Sequence, residues 1–201
     1  MDKQIIGIQG GKGSYNEVAI LKYIHENIGH DAEIKYLYST ANVLDALRTN
    51  QISHGQFAIS NSIGGYVTES MEAIAAFLSS GCGINVIATY EIPIVHRLIA
   101  HSSSRIEDIR KVISHPQALK QCANHLKINY KELELVEGVD EYSDPAKIAE
   151  GISNNEFPIS TATLSNPHIA VIYGLKVISD ELQDSDSNIT KFILVEKCEK
   201  T

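Results

Sequence analysis

The sequence predicts an α/β protein, and three observations carry that expectation. Short apolar runs of strand length alternate with amphipathic stretches of helical spacing from the first residues onward. Glycine, proline and polar turn residues punctuate the junctions. The 201-residue chain is 43% hydrophobic and 21% charged, enough apolar side chain for a packed core and too ordered a composition for wholesale disorder. Alternating β and α elements argue for mostly parallel sheets covered by helices. The length suits one large domain or two small lobes.

Residues 5–8 form the first apolar strand, followed by the turn Gly10-Gly11-Lys12-Gly13. Ser14-Tyr15-Asn16-Glu17 then fits a capping box, and Val18, Leu21, Ile24 and Ile28 continue at helical spacing. Residues 33–38 read as strand, 42–50 as a helix with Val43, Ala46 and Leu47 on one face, 56–59 as strand and 67–79 as helix. In the second half, 85–89 and 92–100 read as strands, and 111–114 is a strand feeding Pro116, which suits a first helical turn. Ala118, Leu119, Cys122, Ala123 and Leu126 make the following segment one amphipathic helix. Strands are expected at 134–137, 160–164, 175–179 and 191–196, and helices at 145–153 and 167–173. Asp184 to Asn188 reads as a surface loop.

Composition excludes several functions. A formal net charge of −8 argues against a nucleic-acid-binding surface, which needs a basic stripe. The apolar run near the N-terminus is about three residues, short of a signal-peptide core of roughly 7–15, and nothing approaches the ~20 apolar residues of a membrane span. A cytoplasmic location without membrane association is expected. Three dispersed cysteines, Cys82, Cys122 and Cys198, read as reduced thiols. No CxxC, HExxH or clustered His/Cys spacing points to a metal, and no cofactor is expected.

The glycine turn fails both nucleotide patterns. Gly11-Lys12 is followed by Gly13 where a phosphate loop needs Ser or Thr, and GxGxxG is absent. A glycine turn leading into a capped helix still exposes backbone N–H groups that suit a carboxylate or phosphate. Ser60-Asn61-Ser62 lies at a strand end, where α/β folds place ligands. Ser114-His115-Pro116-Gln117 opens a helix, and Thr190-Lys191-Phe192 opens the last strand with a hydroxyl and a cation. Each alone is more often structural than catalytic.

Together and in order these segments resemble the prephenate dehydratase family. Gly13-Ser14-Tyr15 resembles its GxxGS(F/Y) segment, and Ser60-Asn61-Ser62 with Gly65 its ENSxxG segment. SHPQALKQC, residues 114–122, is near-verbatim. Residues 162–175 resemble the segment ending in YGL, and Asn188 to Phe192 the NxTRF signature. The resemblance spans residues 4–197. It implies two α/β lobes with a cleft, similar to type II periplasmic binding proteins: residues 1–91 plus 175–201 as the first lobe and 92–174 as the second, without the family's regulatory ACT domain.

The resemblance also implies roles. Dehydratase chemistry expels the ring hydroxyl and carbon dioxide from prephenate, and Thr190 is the implied donor to the departing hydroxyl. Ser14, Asn61, Ser62 and the helix start after His115 are implied substrate-binding groups, with Ser60, Tyr142, Ser143, Lys191 and Phe192 in the same set. Lys191 stands where the family has Arg and loses the two-pronged grip on a carboxylate. Ser60 replaces the family's Glu, and Tyr142-Ser143 falls where a Thr-Ala pair is usual. These departures leave a second enzyme open, a non-aromatising prephenate decarboxylase, and a third class, a small-molecule binding or sensory module without turnover. A homodimer is expected.

Overall fold

The computed structural model describes residues 4–27, 32–180, 182–185 and 187–198. Ile28 of the first helical stripe and Asp186 of the expected loop lie outside these residues. The chain divides into two compact units. The first holds residues 1–11, 15–93 and 189–201, and the second holds 12–14 and 94–188.

In the first unit, strand β1 (Gln4–Ile8) leads to helix α1 (Tyr15–Asn27), β2 (Ala32–Tyr36), α2 (Thr40–Arg48), β3 (His54–Asn61), the short β4 (Gly65–Tyr66), α3 (Thr68–Ser79) and β5 (Gly83–Pro93). Ser39 caps α2 by accepting from the Asn42 N–H. The chain's last strand, β11 (Ile189–Cys198), returns to this sheet, giving the order β2-β1-β3-β11-β5 with β4 on β3. β11 reads Phe192-Ile193-Leu194-Val195 because it is covered on both faces. Ile193 and Val195 pack with Val43, Leu47, Phe57 and Phe77, while Leu194 packs with Ile6, Ile20 and Ile24 on the α1 side.

The second unit runs β6 (Arg97–Ala100), β7 (Lys111–Ser114), α4 (Pro116–Gln121), α5 (Ala123–Asn129), β8 (Glu134–Glu137), α6 (Pro145–Ser153), β9 (Thr161–Ser165), α7 (Pro167–Ile172) and β10 (Lys176–Ser179). Its sheet order is β10-β6-β9-β7-β8. Three helices, α4, α6 and α7, start with a proline in the first turn, behind His115, Asp144 and Asn166 as side-chain caps.

Both sheets are mixed, which corrects the expectation of mostly parallel pairing. Three strands run parallel in each, β2-β1-β3 and β8-β7-β9. The fourth place goes to a strand entering antiparallel, β11 in one sheet and β6 in the other, and an outer strand pairs antiparallel with that one. Both strands stand in the sequence outside the βαβ run that they join, which periodicity cannot reveal.

Three boundaries also differ from expectation. The return to the first unit falls at Asn188/Ile189 rather than near Leu175, because β10 pairs with β6 and the Leu182 N–H donates to the His96 carbonyl. The strand expected over 92–100 breaks after Pro93, where the Ile94 N–H turns to the Asn188 carbonyl. The helix expected through 118–126 is two helices meeting at Cys122. The first turn of α5 needs partners for its exposed N–H groups, and Asp184 supplies them: its carboxylate accepts from Asn124 N at 2.9 Å and His125 N at 2.8 Å. That cap comes from about 60 residues away, so no local pattern announces it. Cys122 itself is fully buried, and burial pushes its thiol up to about 12.

Candidate active site

In α/β sheets ligands bind beyond the carboxyl ends of the parallel strands. In the first unit that end of the sheet is where β3 finishes and β11 begins. Asn61, the last residue of β3, pairs in register with Thr190. Its side chain is only 8% exposed and is held from two sides. The amide oxygen accepts from Ile63 N at 3.0 Å and Gly64 N at 2.8 Å, closing the turn. An oxygen with two backbone donors cannot be swapped for the NH2 group, so this pair fixes which way the amide faces. Its nitrogen therefore donates to the Ile189 carbonyl at 3.3 Å and to Thr190 Oγ1 at 2.9 Å.

That arrangement orients a proton. Thr190 Oγ1 is an acceptor in this pair, so the hydroxyl hydrogen points elsewhere, and among the described residues it meets no acceptor. Thr190 is 9% exposed, so the hydroxyl is mostly shielded from bulk water. A buried hydroxyl with its acceptor side filled and its donor side open suits an incoming oxygen that gathers negative charge.

Around this pair, Ser62 clamps the start of β11, its N–H donating to the Ile189 carbonyl at 2.8 Å and its hydroxyl accepting from Ile189 N at 2.9 Å. Ser60 is half-buried between Lys191 on one side and Tyr66 on the other. Lys191 is ion-paired across the ladder to Glu91 at 3.1 Å, so its charge is already engaged. Phe192 is a core residue, 1% exposed, with its ring 6.2 Å from that of Tyr90.

A further group was invisible in the sequence. The Glu69 carboxylate accepts from the Thr40 N–H at 2.8 Å, at the start of α2, and from Gln9 Nε2 at 2.6 Å, while Gln9 Oε1 accepts from Ala58 N at 3.1 Å. The N-terminus of α2 thus already holds an anion supplied by the protein. Its two partners, Thr40 and Gln9, are 29 and 60 residues from Glu69 in the sequence, and no local spacing links them.

The remaining candidates lie in the second unit. Lys12–Ser14 is fastened to the β9–α7 junction: Asn166 Nδ2 donates to the Gly13 carbonyl at 2.7 Å, and Gly13 takes φ +87. Ser14 is half-buried just ahead of α1. His115 is the cap of α4, its Nδ1 accepting from Gln117 N at 3.1 Å. An accepting Nδ1 requires the neutral ring. Burial lowers the His115 pKa, outweighing the opposing pull of Asp144 and Glu137. Tyr142 has its hydroxyl 3.2 Å from Glu156 Oε2 and its ring edge-on to Phe157, and Ser143 donates to the Asp140 carbonyl at 2.7 Å. A buried network also emerges that the sequence did not suggest: Gln121 Oε1 accepts from His96 Nε2 at 2.7 Å and from Asn188 Nδ2 at 2.9 Å. Burial lowers the His96 pKa as well, which keeps that ring neutral.

The structure thus gathers Ser60, Asn61, Ser62, Thr190 and Lys191 in the first unit, places Ser14, His115, Tyr142 and Ser143 in the second, and puts Phe192 in the core. Among the described residues no cluster of three or more His, Cys, Asp or Glu could hold a metal, and no helix is long and apolar enough to cross a membrane.

Comparison with known proteins identifies the family. Residues 6–200 match the family model described as prephenate dehydratase. The chain is 29% identical over 186 residues to a prephenate dehydratase of Methanocaldococcus jannaschii, covering 92% of this chain and 62% of that protein. It is 27% identical over 191 residues to arogenate dehydratase/prephenate dehydratase 2 of Arabidopsis thaliana, covering 94% of this chain and 45% of the relative. The chain therefore spans about half to three-fifths of the length of these relatives. Among solved structures, a prephenate dehydratase from Arthrobacter aurescens in complex with L-Phe superposes with a TM-score of 0.82 at 24% identity, over 98% of this chain and 61% of that one, a likeness of fold. With nearly all of its length matched by that family model, the chain belongs to the prephenate dehydratase family.

Proposed function

We propose that this chain converts prephenate to phenylpyruvate, expelling the ring hydroxyl with carbon dioxide, and that Thr190 donates to the departing hydroxyl. The observation that carries the reading is the Asn61–Thr190 pair, which leaves the Thr190 proton free of any described acceptor. Family membership supplies the substrate class, and the relatives' names point the same way. As electrons from the breaking carbon–carbon bond move into the ring, the ring oxygen gathers negative charge. A Thr hydroxyl is too weak an acid to deliver a full proton at neutral pH, so its contribution is a pre-aimed hydrogen bond that strengthens as the charge grows. Ser60, Asn61 and Ser62 shape the same strand end, and the second unit's own candidates for holding a carboxylate are Ser14 and His115. Lys191 enters only if it leaves Glu91, and Phe192 supports from the core.

One departure favours a second reading. Ser60 gives the β3 end no acid where the family has Glu, and a non-aromatising decarboxylase, which keeps the ring hydroxyl and protonates the ring, would not need the same assistance. Product identification from prephenate separates the two: phenylpyruvate supports the dehydratase, and a dihydro-hydroxyphenylpyruvate replaces it with the decarboxylase. Kinetics of Thr190→Val then test the mechanism. Removing one transition-state hydrogen bond should slow turnover roughly 100–1000-fold with KM little changed, whereas Thr190→Ser keeps the donor and most of the rate. Parent-like turnover to phenylpyruvate by Thr190→Val would remove Thr190 from the chemistry.

A further inference from the structure

The register between β3 and β11 is broken, and the break decides which residue faces Thr190. From Val195 back to Phe192 the ladder is regular, with Phe192 opposite Ala58, but Lys191 stands opposite Ser60. Ile59 is therefore an extra residue on β3, a bulge. Without it the regular register would carry on, setting Ile59 opposite Lys191, Ser60 opposite Thr190 and Asn61 opposite Ile189. A slip of one residue also turns each side chain to the other face of the sheet. The bulge is thus what brings the Asn61 amide to Thr190 Oγ1.

Two hydrogen bonds hold the bulge, both from outside the β3–β11 ladder. The Ile59 carbonyl accepts from Val67 N, just past β4, at 2.9 Å. The Ala58 N–H donates to Gln9 Oε1 at 3.1 Å. β1 ends at Ile8, opposite Gln56, and the Gln9 N–H still donates to the Gln56 carbonyl at 3.0 Å. The Gln9 side chain then takes the place of the next residue of β1.

We propose that Gln9 and Glu69 are positioning residues for Thr190, together holding the β3 bulge that sets Asn61 opposite its hydroxyl. The inference rests on the donor role given to Thr190 above. Gln9 accepts from Ala58 only while its amide oxygen faces β3, which leaves its Nε2 in need of an acceptor. Glu69 supplies one at 2.6 Å. A carboxylate accepts and does not donate, so Glu69 fixes which way the Gln9 amide faces. Glu69 is anchored in turn. Its carboxylate accepts from Thr40 N at 2.8 Å and from Thr40 Oγ1 at 3.1 Å. Thr40 Oγ1 lies 2.8 Å from Ser70 Oγ, and Thr40 and Ser70 are both fully buried. Through these links the first turns of α2 and α3 bear on the backbone of β3. A bulge-free ladder would pair one more residue of β3, so the bulged register needs support from outside the ladder. The Gln9–Glu69 clamp is that support.

The test reads register and rate separately on the full chain. Cross-strand nuclear Overhauser contacts in isotope-labelled protein report the register. The parent should show Asn61 against Thr190 and Ser60 against Lys191. Gln9→Leu keeps a side chain of similar size without its amide, and it should admit the register with Ser60 against Thr190. Turnover of prephenate should fall with the bulged fraction that remains, by about tenfold or more but less than the roughly 100–1000-fold of Thr190→Val, with KM little changed. Glu69→Gln should act in the same direction, because an amide offers one acceptor where the Thr40 and Gln9 donors converge. The exchange Gln9→Glu/Glu69→Gln restores the pattern: the new carboxylate accepts from Ala58 and from the new amide, whose oxygen accepts from Thr40. It should recover the parent register and most of the rate. A merely structural role would lower the urea midpoint without changing which residues face each other. Parent register in Gln9→Leu, whatever its rate, or an exchange no better than Glu69→Gln alone, would overturn the proposal. A shifted register with parent turnover would support the clamp and overturn the role of Thr190 instead.

Discussion

The two units are built on one strand order and use its active end differently. In each, three parallel strands are followed by a strand inserted antiparallel from outside their run, then by an outer strand. In the first unit the meeting point of the third and inserted strands is Asn61 against Thr190; in the second it is Ser165 against Arg97. The first meeting point leaves a buried hydroxyl with a proton to give. The second is tied up: Arg97 is ion-paired to Asp180, the neighbouring Asn166 holds the Gly13 carbonyl, and the His96–Gln121–Asn188 network fills the interior beside it. Topology sets where the strand ends meet, and the polar side chains placed there decide whether a hydroxyl is left with a proton to give.

The largest expected effect tests whether amide orientation is what leaves Thr190 with a proton to give. In Asn61→Asp the carboxylate still accepts from Ile63 and Gly64, but it can no longer donate to Thr190. The Thr190 hydroxyl then turns its proton towards the new acceptor. Turnover should fall about 100–1000-fold, matching Thr190→Val, because the same transition-state bond is lost. A carboxylate oxygen facing the Ile189 carbonyl also costs stability, on the order of 1–3 kcal/mol, so rates are to be read on protein whose folded fraction is known from a urea titration. Near-parent turnover would show that Asn61 is only a turn residue.

The matching perturbation in the second unit should act on stability first. Gly13 sits at φ +87, and a Cβ there would lie 2.6 Å from Ile169 Cγ1. Gly13→Ala should therefore destabilise by about 1–3 kcal/mol from left-handed strain and overpacking, visible as a lower denaturation midpoint. A variant as stable as the parent would mean that the Asn166–Gly13 tie is dispensable.

How much of this contrast the sequence contained depends on the range of each contact. Helix starts at Pro116, Pro145 and Pro167 were legible because proline and apolar face lie within a few residues. The ordered motifs identified Asn61 and Thr190 as candidates. Their relation was not legible: they are 129 residues apart, and only the antiparallel entry of β11 makes them neighbours. The same limit hid the Asp184 cap that splits α4 from α5, the Glu69 carboxylate on α2, and the pairing of Lys191 with Glu91. Phe192 joined the site by its place in a motif, although strand alternation turns it into the core.

Protonation should sharpen the comparison further. His96 and His115 both belong to the second unit, and burial depresses both pKa values. In the unfolded chain a histidine titrates near 6.5, so below that pH the unfolded state binds protons that the native state refuses. Their contribution to stability is complete above about pH 6.5 and is lost as the pH falls towards the depressed native values. Urea midpoints measured from pH 8 down to pH 5 should therefore fall. His115→Asn, which keeps a capping acceptor without titrating, should flatten part of the slope at small cost. A midpoint that rises on acidification would contradict rings that stay neutral in the folded chain.

The smallest expected effect concerns the ion pair that each unit places at the start of its inserted strand. Lys191 reaches Glu91 on the outer strand β5, and Arg97 reaches Asp180 just beyond the outer strand β10. The Lys191 and Glu91 side chains are 43% and 50% exposed, so water and salt screen them, and a double-mutant cycle should return about 0.2–1 kcal/mol. Arg97 is less exposed at 27%, although Asp180 is open at 64%. Its guanidinium cannot lose its charge, so removing Asp180 leaves a partly desolvated cation. The coupling between Arg97 and Asp180 should therefore exceed that between Lys191 and Glu91 and respond less to added salt. Because the Lys191 pair is weak, Glu91→Gln should release Lys191 with little loss of stability, and a lower KM for prephenate in that variant would show that the freed cation reaches a carboxylate. An unchanged KM together with a measurable coupling would leave Lys191 as a fastener between β11 and β5, the counterpart of Arg97 in the second unit.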